Sequence, residues 1–321
     1  MAKQTTDPDV SAYIEPLNMN GLRGRMLRLP AAKANDKREL LVVYGHHAKL
    51  ERWWGLVQNF NSFGTVTMPD LPGFGGMDSF YTIGQKPTID NLADYLAAFI
   101  KLRYKRRRIG IVGISFGFVI ATRMLQRYPE LAKRVEVVVS CVGFAHSDDF
   151  MFTKRRMFFY RLGVRATLLP GITWLFKTIG LNPITLRYAY TKTHNARHKF
   201  EAAAADGLDM FNAVMDVEID LWRINDLKTH LFTTKEFLSL DNCKKQVKVP
   251  VWHIASKGDY YFDNYRVEQH LRVIFSDYRG AELDLQTHAP SVLATKKESS
   301  VFIPAKVRRW LSQTDKAAVI Q

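Results

Sequence analysis

Cysteine is scarce: Cys141 and Cys243 are the only two in 321 residues. That excludes a disulfide scaffold and suits a reducing compartment. No uncharged run approaches the roughly 18 apolar residues of a spanning helix. The aromatic-rich stretch from Met157 to Leu181 is broken by Arg161, Arg165 and Lys177. The first nine residues are polar and carry acid, so no secretory signal is expected there. Internal repeats and low-complexity tracts are absent as well. Acid is under-represented: 31 Asp and Glu against 46 Lys and Arg leave a net charge of +15. Such a balance bears on solubility and partners, not on fold. A soluble cytoplasmic protein is the expectation.

What is present is an ordinary globular composition, 47% hydrophobic and 24% charged. The length allows one large α/β domain or about two average ones. Short apolar runs alternate with helix-period segments. Leu40 to Tyr44, Thr65 to Met68, Arg108 to Val112 and Val135 to Ser140 read as strands. Arg52 to Phe60, the segment from Thr88 and Phe118 to Tyr128 read as helices, with Thr88 an N-cap and Pro129 a stop. Strands resume at Val249 to Ile254 and Ala281 to Leu285, and a last helix starts near Pro304. This rhythm predicts an α/β fold, a mostly parallel central sheet with helices on both faces. The interruption predicts an inserted, mainly helical lid at 145–248, between core segments 1–144 and 249–321. A lid there would lie over the sheet's C-terminal edge, where sites form.

The lid is divided by charge. Ten basic residues and no acidic one lie between Met151 and Phe200; six acidic and no basic one lie between Glu201 and Trp222. The two halves either pair with each other, or the basic, aromatic-rich half meets an anionic lipid or substrate.

Gly113-Ile-Ser-Phe-Gly117 matches Gly-x-Ser-x-Gly. A chain this long would match by accident roughly one time in ten, given ordinary Gly and Ser usage. Context strengthens it: the motif follows a buried strand and opens an apolar helix, the setting of a nucleophile on a tight turn. Gly113 and Gly117 let strand and helix approach while Ser115 projects. A serine needs a base, and the base an orienting acid. His288 follows the last strand, and Asp259 lies just beyond the strand before it. Six other histidines are placed less well: His253 within a strand, His194, His198 and His230 in the lid, His146 after the strand that follows the elbow, His270 in a helix. Ser115, Asp259, His288 run in the order of an α/β-hydrolase triad. Asp148 and Asp149 are the rivals for the acid.

From Leu40 to the C-terminal helix the chain resembles lid-bearing serine hydrolases of the α/β-hydrolase superfamily. The likeness rests on Tyr44-Gly-His-His47, Pro69-Asp-Leu-Pro-Gly-Phe-Gly75, Gly113 to Gly117, Tyr128-Pro-Glu130, Lys257-Gly-Asp259 and His288. It implies an oxyanion hole from the N–H groups of His46 and Phe116. Tyr44 stands where members usually carry His. Phe118 replaces a frequent second Gly and narrows the space beside the elbow.

Weaker signals read as surface. His194-x-x-x-His198 with Glu201 lacks the His-Glu-x-x-His pattern of a metal site. The basic run Lys101 to Arg108 lies at a helix C-terminus, at the far end of the strand from Ser115, so no nucleic-acid partner is expected. Asp70 reads as a structural loop residue and Cys141 as packing. The expectation is a serine hydrolase acting on a small apolar acyl ester without a cofactor, with Phe158, Phe159, Trp174 and Phe176 lining an acyl pocket. Peripheral contact with an anionic membrane is a further expectation. On the same triad an aminopeptidase of the prolyl type, a C–C bond hydrolase or a cofactor-free haloperoxidase are alternatives; a non-catalytic binding module is another. Ser115 argues against haloalkane dehalogenases and epoxide hydrolases, which use aspartate.

Overall fold

The computed structural model describes residues 9–33, 38–192, 208–291 and 293–317. Eight strands form one sheet: β1 (Ile14–Met19), β2 (Leu22–Leu29), β3 (Glu39–Val43), β4 (Thr65–Pro69), β5 (Ile109–Ile114), β6 (Val135–Cys141), β7 (Val251–Ser256) and β8 (Tyr278–Leu283). Their order is β1-β2-β4-β3-β5-β6-β7-β8. From β4 to β8 every pairing is parallel; only the β1–β2 and β2–β4 pairs are antiparallel.

The sheet is therefore mostly parallel, as the strand–helix rhythm predicts. β3, β4 and β5 are buried at every residue, which requires cover on both faces. That cover includes α1 (Trp54–Phe60), α2 (Ile89–Tyr104), α3 (Phe116–Arg127) and the short α4 (Pro129–Ala132). Thr88 caps α2 through its side chain, accepting from Asn91 N–H at 3.0 Å. Pro129 ends one helix and opens the next at its first turn, where its missing N–H costs nothing.

Between β6 and β7 lie α5 (Lys154–Thr167), α6 (Pro170–Leu175), a π-helical turn (Phe176–Gly180), α7 (Pro183–Lys192), α8 (Leu208–Ile224) and α9 (Leu227–Phe237). Two cores hold this insertion. Phe150, Met157, Leu238 and Leu240 join the main core of the sheet. Leu186, Val214, Met215 and Ile219 form a separate small one between α7 and α8. After β7 come α10 (Asn264–Ile274), α11 (Lys296–Ser299) and α12 (Ala305–Ala317). Among the described residues no helix is long and apolar enough to cross a membrane.

The charge division of the insertion is partly spent internally: Arg187 pairs with Asp216 at 2.5 Å, and Lys49 of the core takes Asp220 at 2.6 Å. Within the run 101–108, Lys101, Arg107 and Arg108 pair with Glu130, Glu39 and Glu136. Cys141 and Cys243 are both free thiols, Cys141 buried.

Candidate active site

β5 ends at Ile114 and α3 begins at Phe116, so one residue makes the whole turn. That residue, Ser115, has φ 48° and ψ −115°, a left-handed conformation that L-residues adopt only where the surroundings hold it. The surroundings are tight. A Cβ on Gly113 would lie 2.5 Å from the Cα of Phe118, and one on Gly117 only 2.0 Å from the carbonyl oxygen of Val43. Neither position accepts another residue. Phe118 fills the space beside the elbow, its ring edge 2.5 Å from where a Cβ on Gly143 would stand.

Two strand ends bring the partners. His288 Nε2 lies 3.2 Å from Ser115 Oγ, and His288 Nδ1 lies 2.6 Å from Asp259 Oδ2. The other oxygen of Asp259 accepts the N–H groups of Tyr261 (2.8 Å) and Phe262 (3.2 Å). An acceptor-only carboxylate on Nδ1 fixes the tautomer that leaves Nε2 free to accept the serine proton. The loop carrying His288 is pinned to β7: Ser256 Oγ lies 2.9 Å from Leu285 O and 2.8 Å from Thr287 O, and Gly258 N–H donates to Leu285 O. A Cβ on Gly258 would lie 2.4 Å from Gln286 Cα, so this approach needs glycine. The rings of Tyr261 and Phe262 flank the imidazole at 5.1 and 5.4 Å.

The loop after β3 lies against the elbow, with the Cβ position of Gly45 3.4 Å from Ser115 Cβ. Among the described residues neither the His46 N–H nor the Phe116 N–H is taken by an acceptor. The His46 ring packs on Phe116 and His230 and contacts Thr233 Oγ1 at 2.8 Å; burial holds it well below the ordinary histidine pKa. Tyr44 shapes this loop from beneath. Its hydroxyl donates to Asp70 Oδ1 at 3.0 Å and accepts from Leu71 N–H at 2.8 Å. Asp70 also takes Arg25 Nε at 3.1 Å, which makes it a structural loop residue.

The rival acids do other work. Asp149 accepts the N–H groups of Ala145 and His146 and pairs with His270 Nδ1 at 2.5 Å. Asp148 is exposed. His253 is buried in β7 against Ser140 Oγ at 2.9 Å. His194, His198 and Glu201 lie outside the described residues. Among the described residues no cluster of side chains is arranged to hold a metal ion.

A cavity of about 810 Å³ opens above Ser115 and His288. Its apolar wall is Phe150, Phe152, Tyr160, Val164, Phe237 and Leu238. The expected lining of Phe158, Phe159, Trp174 and Phe176 is corrected here: all four are exposed on the outside of the insertion, at 62%, 55%, 66% and 36%. The reason is helix rotation. Met157, Tyr160 and Val164, spaced by three and four, turn α5 inward, which points Phe158 and Phe159 out. Phe150, Phe152, Phe237 and the acid-holding Tyr261 and Phe262 escaped sequence reasoning. The aromatic run Tyr260-Tyr261-Phe262 directly after Asp259 was the available signal.

Residues 40–166 match the sequence family of the α/β-hydrolase fold. Among curated proteins no sequence matches. Solved structures with the same fold include an esterase from Thermogutta terrifontis, 13% identical at TM-score 0.60 over 94% of this chain and 97% of that one. They include the enol-lactonase from Burkholderia xenovorans LB400, 14% identical at TM-score 0.60 over 94% and 98%. A third is the α/β-hydrolase enzyme MGS-M2 from a deep-sea metagenome library, 15% identical at TM-score 0.59 over 84% and 88%. The chain thus has the α/β-hydrolase fold.

Proposed function

We propose that the protein is a serine hydrolase that cleaves a carboxylic ester with an apolar acyl group through an acyl-enzyme. The carrying observation is the unbroken chain Ser115 Oγ, His288, Asp259 at 3.2 and 2.6 Å. In this reading Ser115 Oγ attacks the ester carbonyl while His288 Nε2 takes its proton. Asp259 stabilises the imidazolium. The N–H groups of His46 and Phe116 receive the oxyanion. His288 then returns the proton to the leaving alcohol, and water repeats the sequence to free the acid and regenerate Ser115. The aromatic wall of the cavity supports an apolar acyl group, and the esterase and lactonase of like fold support the reaction class.

One observation favours a second reading. Glu218 of α8 lines the same cavity, 1% exposed, with Tyr190 Oη 3.4 Å from its Oε2. A carboxylate there would suit the ammonium of an aminopeptidase substrate. Purified protein assayed on p-nitrophenyl esters of increasing acyl length and on amino-acid p-nitroanilides separates the two. Turnover of esters and not of anilides is expected; the reverse preference would replace the ester reading.

A further inference from the structure

α5 is two-sided. One face turns Tyr160 and Val164 into the cavity; the other leaves Phe158, Phe159 and Leu162 in water at 62%, 55% and 54% exposure. The surface continues onto α6, which packs on α5, and onto the π turn. Neither element has a single buried residue, and Leu169, Trp174 and Ile179 are exposed at 56%, 66% and 57%. Scattered exposed apolar residues are normal, but a contiguous face of this kind marks an interaction site. Its charge is one-sided too. No Asp or Glu occurs from Met151 to Lys192. Lys154, Arg155, Arg165 and Lys177 are exposed and form no ion pair among the described residues, whereas Arg107, Arg123 and Arg127 of the core are paired. Arg155 lies 6.0 Å over the ring of Phe159, so cation and aromatic share one surface.

We propose that the outer face of α5, α6 and the π turn docks on an anionic lipid surface, apolar side chains entering the headgroup boundary and the four cations meeting lipid phosphates. The mixture of chemistries selects this occupant. A second copy of the chain across a two-fold axis would bring the same cations against each other. A soluble polyanion would satisfy the cations and leave Phe158, Leu162 and Trp174 in water. A lipid surface takes both at once. α6 and the π turn, six and five residues long, are too short to span and long enough to lie in the interface. One helix diameter, about 10 Å, then separates the bilayer from the cavity.

Flotation of the full chain with vesicles tests this, and because it needs no turnover it is independent of the hydrolase reading; Ser115→Ala should float like the parent. The expected result is at least tenfold tighter binding to phosphatidylcholine–phosphatidylglycerol vesicles than to phosphatidylcholine alone. The preference should collapse in high salt, as the Debye length falls from about 10 Å at 0.1 M to about 3 Å at 1 M. A Phe159→Ser, Trp174→Ser pair should lose at least tenfold, and so should Arg155→Glu with Lys177→Glu, both with unchanged circular dichroism because these side chains are exposed. No binding, equal binding to both vesicles, or variants that bind like the parent would overturn the proposal. So would a dimer in sedimentation that Trp174→Ser dissolves while vesicle binding is absent, since the face would then cover a second copy.

Discussion

His288 Nδ1 stands 2.6 Å from Oδ2 of Asp259, a carboxylate whose second oxygen is already held by the N–H groups of Tyr261 and Phe262. With both oxygens engaged and the side chain 3% exposed, Asp259 cannot swing away from the imidazole. Asp259→Asn should therefore lower kcat by about 10⁴-fold, the loss expected when the orienting acid of a triad goes. Asp149→Asn should act differently. It keeps one acceptor oxygen for the Ala145 and His146 N–H groups but removes the charge and puts an NH2 donor against His270 Nδ1, costing about 1–3 kcal/mol of stability with kcat within a few-fold. Kinetics and urea unfolding of the two variants check this; a kcat collapse in Asp149→Asn alone would move the acid back one strand.

Val164 projects from α5 into the apolar side of the cavity. Val164→Trp should fill part of its 810 Å³ and shift preference toward shorter acyl chains. The ratio of kcat/KM for octanoyl over butyryl esters should fall about tenfold, since each lost methylene contact is worth about 1 kcal/mol. An unchanged ratio would place the acyl group elsewhere.

Burial in β7 lowers the pKa of His253 to about 4, and burial beside His46 lowers that of His230 likewise to about 4. The unfolded chain takes these protons near 6.5, so between the two values it binds more protons than the native state. The stability that neutral His253 contributes is full above pH 6.5 and is lost as pH falls through about 4. The size is on the order of 1–3 kcal/mol for this ring. Urea midpoints should drop across that window, and His253→Gln should flatten the drop. A parent midpoint that is constant from neutral to pH 4 would contradict it.

The parallel strands and the elbow were legible because their signals are local. A buried strand is a short apolar run, and Gly113 and Gly117 are required by contacts of 2.5 and 2.0 Å that no other residue permits. Asp259 and His288 were legible by position, one step beyond a strand. The β1–β2 hairpin was not read, although Asn20-Gly21 between the strands, at φ 52° and 80°, is a hairpin turn signal. Its strands alternate apolar residues with Arg and Glu and never make a continuous run. The cavity wall failed for a different reason. α5 is apolar on both faces, so periodicity could not say which of Phe158, Phe159 and Tyr160 turns inward. That rotation is fixed by Met157 entering the core and by Arg161 Nε donating to Leu238 O at 2.8 Å.

In the proposed reaction Ser115 is a nucleophile activated by His288. Intact-mass analysis after treatment with a fluorophosphonate, followed by peptide mapping, tests it most directly. The expected result is a single adduct on the peptide containing Ser115, absent in Ser115→Ala and strongly slowed in His288→Ala. A folded protein that takes no adduct, or takes it on another residue, would contradict it.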